Sequence, residues 1–112
     1  MHELSIAQSI VELAEEIAEK EQSDSIKSIE IEVGALSGVV LEALEFALEV
    51  SVKNTKLEKA KINYLVLPGK ASCRECSRQF ETNDLLALCP GCEQANYTIT
   101  DGKQLRIKSL VV

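Results

Sequence analysis

Cys73-Arg74-Glu75-Cys76, and after a gap of 12 residues Cys89-Pro90-Gly91-Cys92, is the stretch on which the reading of this chain turns. A C-x2-C turn aims two sulfurs at one cation and brings backbone amides up to them. Two such turns close an all-sulfur shell whose geometry and softness select zinc. The gap is slightly short for the commonest double C-x2-C pattern, yet it leaves room for a strand excursion such as Gln79-Phe80-Glu81. Gly91 is expected to supply a left-handed residue in the second turn. With four protein ligands there is no position left for water, so the site is structural. A segment of fewer than about 30 residues cannot bury enough surface to fold alone, and a structural zinc contributes ~10 kcal/mol or more. The competing reading, thiol exchange at Cys-Pro-Gly-Cys, needs a thioredoxin-like strand-helix context that is missing here.

Working outward, Pro68-Gly69-Lys70 stops a strand over Lys59 to Leu67 that alternates through Ala60, Ile62, Tyr64 and Val66. Upstream, Lys27 to Val33 alternates strictly, with Ile29, Ile31 and Val33 on one face. Residues 5–20 carry a helical repeat in Ile6, Ile10, Leu13 and Ile17, flanked by Ala7, Val11, Ala14 and Ala18. A second helix is expected from about Val39 to Val52, with Ser37 as its N-cap. Downstream, Thr98-Ile99-Thr100, Asp101-Gly102 and Leu105 to Val111 read as a hairpin, since Asp-Gly suits a type I′ turn. The last strand is apolar enough to rejoin the first sheet. The cysteine segment is then an insertion.

Composition narrows the function. The chain has 112 residues, 46% hydrophobic, with a formal charge of −6. Four thiolates around one Zn2+ would make it two charges more negative. This acidity argues against a nucleic-acid partner. No apolar run approaches the ~18 residues of a membrane span, and glutamates at positions 12, 15 and 16 break any signal-peptide core, so a cytoplasmic protein is expected. Four cysteines in that compartment suit a metal better than disulfides.

His2, the single histidine, stands one peptide bond behind the terminus. The Met1 amine and the His2 amide nitrogen can close a five-membered chelate ring. The His2 amide and its Nδ1 can close a six-membered one, with the Glu3 amide in reach of a fourth corner. A planar all-nitrogen set with deprotonated amides suits Ni(II) or Cu(II) rather than zinc. The plainer reading is a frayed terminus with an inert histidine. The Glu3 carboxylate either helps the metal or a partner, or simply complements the helix dipole.

Met1-His2-Glu3-Leu4-Ser5-Ile6-Ala7, Ile31-Glu32-Val33-Gly34, Ser37-Gly38-Val39, the two cysteine pairs and Leu105-Arg106-Ile107-Lys108-Ser109 together resemble the HypA/HybF family of nickel metallochaperones. The likeness runs in order along the whole chain. It departs at Leu41, where the family commonly has proline, and in lacking an acidic C-terminal ending; neither position is a ligand. The resemblance implies an α+β fold: a small nickel-binding domain of two helices on a three-stranded sheet, with an inserted zinc-ribbon-like domain. The boundaries expected are 1–69 plus about 98–112 for the first and 70–97 for the second. It implies Ni2+ as transient cargo at Met1, His2 and Glu3, and structural Zn2+ at Cys73, Cys76, Cys89 and Cys92. It also implies two partners, a hydrogenase-maturation GTPase and the hydrogenase large subunit. A homodimer is compatible with the sequence, the last strand being kept or exchanged.

Two rivals are weaker. A zinc-ribbon adaptor of transcription or translation predicts a basic ribbon, but Lys70, Arg74, Arg78 and Lys103 are outnumbered by Glu75, Glu81, Asp84, Glu93 and Asp101. An enzyme needs a general base beside an open metal position, and no second histidine exists to build one.

Overall fold

The computed structural model describes residues 3–83 and 87–112. The elements run α1 (Glu3–Lys20), β1 (Ser28–Gly34), α2 (Leu41–Ser51), β2 (Lys61–Leu67), β3 (Lys70–Cys73), β4 (Gln79–Glu81), β5 (Tyr97–Asp101) and β6 (Leu105–Val111). They form two three-stranded sheets, ordered β2-β1-β6 and β4-β3-β5. The architecture is α+β, as the alternation of the two periodicities predicts. Within the described residues, one compact unit comprises the chain up to Glu32, Val39–Leu65 and Arg106–Val112; the other comprises Val33–Gly38 and Val66–Leu105.

In the sheet β2-β1-β6, β1 is the central strand and buries Ile29, Ile31 and Val33. Its alternate residues meet cations of β6, with Arg106 Nε 2.6 Å from Glu32 Oε1 and Lys108 Nζ 3.4 Å from Glu30 Oε1. Glu32 is buried, and the Arg106 guanidinium gives its carboxylate a hydrogen-bonded ion-pair partner there. Lys27 N–H donates to Val111 O and Gly34 N–H to Gln104 O, so β6 runs antiparallel to β1 within the same chain. Lys61 N–H donates to Lys27 O and Ala35 N–H to Leu67 O, so β2 runs parallel to β1. Parallel neighbours need a long crossover, and α2 supplies it.

Helix α1 packs against α2. The buried line on α1 is Ala7, Ile10, Val11, Ala14 and Ala18, while Leu13 is 48% exposed and Ile6 and Ile17 are half-buried. The expected stripe of Ile6, Ile10, Leu13 and Ile17 is thus turned by one residue. The packed face is built on Ala7, Ala14 and Ala18, each fully buried, with Ile10 and Val11 beside them, so the closest packing falls on the small side chains. On α2, Leu44, Ala47 and Leu48 face inward. Its N-cap is Val40, with no side-chain cap bond, and Ser37 sits earlier in a turn whose amide donates to Gly34 O. The predicted serine cap fails because left-handed Gly38 (φ 81°) separates Ser37 from the helix.

The Asp101-Gly102 hairpin is also overturned. β5 and β6 belong to different sheets. Gly102 does take a left-handed φ of 100°, but as a crossing point rather than a hairpin turn. A Cβ at Gly102 would lie 2.5 Å from Gly69 Cα, and one at Gly34 would strike the Gly102 carbonyl. Three backbone segments therefore meet where only glycine fits. Leu36 N–H donates to Gly102 O there, and Thr82 N–H to Gly69 O.

Candidate metal centre

β3 is the middle strand of the cysteine unit and carries Cys73 at its end. β4 returns antiparallel to it, with Ala71 opposite Phe80 and Ser72 opposite Gln79. β5 lies on its other side, with Ala71 opposite Ile99 and Cys73 opposite Tyr97. Phe80 and Tyr97, on the two flanking strands, meet edge to face at 5.5 Å. This small sheet places the first knuckle, and the chain leaving β4 supplies the second.

The knuckles repeat one geometry. Cys73 N–H donates to Arg78 O and Ser77 N–H to Cys73 O; Cys89 N–H donates to Gln94 O and Glu93 N–H to Cys89 O. In each, the residue after the second cysteine is left-handed, Ser77 at φ 62° and Glu93 at φ 60°. The strain expected at Gly91 therefore falls on Glu93 instead, and Gly91 has no positive φ. What Gly91 provides is clearance, since a Cβ there would press on the Arg78 guanidinium. The knuckles are braced from outside: Arg74 Nε donates to Thr98 Oγ1 at 2.8 Å, and Asn96 Nδ2 to Glu75 Oε1 at 2.9 Å. This brace was not readable from the sequence, because it joins polar residues more than 20 positions apart.

All four sulfurs lie within 4.8 Å of one another. Cys73 Sγ is 3.5 Å from Cys92 Sγ, and Cys76 Sγ is 3.6 Å from Cys89 Sγ. A tetrahedron with Zn–S bonds of ~2.3 Å has edges of about 3.8 Å. The spacing fits that tetrahedron and is too wide for disulfides, and all four cysteines are free. Cys73 and Cys89 are buried, whereas Cys76 faces solvent. Burial pushes the Cys89 thiol up, but the amides of Cys92 and Gly91 and the Cys76 and Cys73 thiols outweigh it and bring it down to about 7. At Cys92 the Gln94 amide favours the thiolate, yet burial and the other three sulfurs prevail and push it up to about 12. Thiolates crowded together repel one another, and a cation among them offsets that repulsion. The donor set, its spacing and its amides fit Zn2+ as a structural ion.

Of the residues expected to hold nickel, Glu3 opens α1 and is half-buried. Met1 and His2 lie outside the described residues. Among the described residues the cysteine quartet is the one His/Cys/Asp/Glu grouping with metal-ligand geometry.

An α/β unit of two helices on a three-stranded sheet, joined in one chain to a closed four-cysteine centre, defines a metal-binding protein without the open coordination position of a metalloenzyme. The family model described as "Hydrogenase/urease nickel incorporation, metallochaperone, hypA" matches residues 1–112. The hydrogenase maturation factor HypA of Parabacteroides distasonis is 46% identical over 112 residues, covering 100% of this chain and 97% of that one. HypA of Geobacter metallireducens is 36% identical over the same length, with 99% of it covered. The solution structure of the nickel metallochaperone HypA from Helicobacter pylori superposes with a TM-score of 0.69 at 27% identity, covering 99% of this chain and 97% of the other. The chain belongs to the HypA family, whose members are metallochaperones and not enzymes.

Proposed function

We propose that this protein binds Ni(II) at its N-terminus and delivers it for the maturation of [NiFe]-hydrogenase, with Cys73, Cys76, Cys89 and Cys92 holding a structural zinc. The nickel ligands are the Met1 amine, the amide and imidazole of His2, and the Glu3 amide. The observation that carries the reading is the start of α1 at Glu3. The first four N–H groups of a helix have no intrahelical partner. Metallating the Glu3 amide therefore costs no helical hydrogen bond, and two deprotonated amides cancel the charge of Ni2+ beside the positive end of the helix dipole. A site of one side chain and backbone nitrogens also holds its cargo reversibly. Protons compete for the amine and amides, so affinity falls as pH falls.

The helical unit carries the nickel function and the cysteine unit the zinc. When bound, zinc contributes folding free energy to a unit too small to hold itself together. A cytoplasmic setting suits the free thiols; among the described residues no helix is long and apolar enough to cross a membrane. A maturation GTPase and the hydrogenase large subunit are the partners that this reading requires.

The test is nickel titration of zinc-loaded protein with its native terminus. One Ni(II) per chain is expected, with His2→Ala and a residue added ahead of Met1 both abolishing uptake while zinc stays bound. Undiminished nickel binding by His2→Ala would refute the site.

A further inference from the structure

We propose that the groove between the first half of α1 and the end of α2 docks a basic amphipathic segment of a partner protein. Leu4, Gln8, Val11 and Glu12 line it from α1, and Val50 and Ser51 from α2, around about 610 Å³ of open space. Its rim is apolar yet uncovered, with Leu4 51% and Val50 46% exposed. Phe46, one helical turn before Val50 on the same side of α2, is 68% exposed. Such a cluster around a groove marks an interaction surface. Ser51, at the end of α2, borders the groove with its hydroxyl turned into the interior. Among the described residues, Ser51 Oγ is the buried side-chain oxygen with no hydrogen-bond partner.

Charge selects the occupant. The two helices hold eight glutamates against Lys20 alone, while the rest of the chain is nearly balanced, with 10 acidic and 11 basic residues. The whole negative charge of the molecule thus rides on the layer that contains the groove. A second copy would set like charge against like charge, and an anionic membrane or nucleic acid would be repelled. A segment with apolar anchors at helical spacing and Lys or Arg on its flanks matches both features. Leu4 is two residues from His2, so an occupant of the groove comes within ~7 Å of backbone from the proposed nickel ligand. This purpose rests on the nickel reading; the docking itself does not.

The test uses the zinc-loaded full chain, 15N-labelled, with two synthetic 14-residue peptides of identical helical leucine spacing, one filled with Lys and one with Glu. The Leu/Lys peptide should shift the amides of Leu4, Gln8, Val50 and Ser51, and the Leu/Glu peptide should leave them unmoved. A Phe46→Ser, Val50→Ser double variant should bind at least tenfold more weakly with unchanged zinc content and melting temperature. His2→Ala should bind the peptide as well as the native chain, so loss of nickel uptake and loss of docking are read separately. Equal affinity of the double variant, shifts confined to other surfaces, Phe46-dependent self-association in sedimentation, or capture by anionic vesicles would each overturn the proposal.

Discussion

At the residue scale, the convergence of the four cysteines is legible because its information is local. A C-x2-C spacing needs only four residues to state which side chains converge, and the sulfurs do converge. The backbone conformation that lets them do so was not legible. Ser77 and Glu93 take the left-handed region although neither residue type favours it, because the knuckle hydrogen bonds demand it. A non-glycine residue there costs roughly 1 kcal/mol. Glu93→Gly should therefore stabilise the cysteine unit by ~0.5–1 kcal/mol, less the entropy glycine gains when unfolded. The check is the chelator concentration at which half the zinc is lost, which should rise. A fall in that midpoint would mean that the Glu93 side chain contributes more than its backbone strain costs.

At the element scale, periodicity identified both helices and the strands of the first sheet, and missed the azimuth of α1. A 3.6-residue repeat is satisfied equally by the isoleucine–leucine line and by its alanine neighbours one residue on. Only tertiary packing decides between them, and it buries the alanine line. Two substitutions separate these faces. Leu13→Gln, on the exposed side, should change stability by less than ~0.5 kcal/mol. Ala14→Leu, on a fully buried residue, should cost ~1–3 kcal/mol by overpacking. Thermal melts followed by circular dichroism at 222 nm give both values, and the reverse ranking would restore the stripe expected from sequence. The serine cap was misplaced for a related reason, since capping propensity does not reveal that Gly38 redirects the chain first.

At the scale of the whole molecule, the α+β class was readable from the order of the elements, but strand partnership was not. Asp101-Gly102 looks like a hairpin because the dipeptide is the same whether the chain folds back or crosses between sheets. Three glycines that touch in space, Gly34, Gly69 and Gly102, are 33 to 68 positions apart in sequence, so no local signal announces the crossing. The division of labour can be tested at this scale. Cys76→Ser, or zinc chelation of the native chain, should lose the dispersed amide resonances of β3, β4 and β5 while the 222 nm signal of α1 and α2 survives. Persistence of the β3–β5 resonances without metal would show that the unit does not depend on zinc.

Nickel at the amino terminus is the claim on which the functional account rests, and absorption spectroscopy of a nickel titration tests it most directly. Protein with a free terminus should take up one Ni(II) per chain as a diamagnetic square-planar complex with a yellow d–d band. Uptake should weaken as pH falls and disappear when the Met1 amine is acetylated. A paramagnetic octahedral spectrum that persists after acetylation would contradict the account.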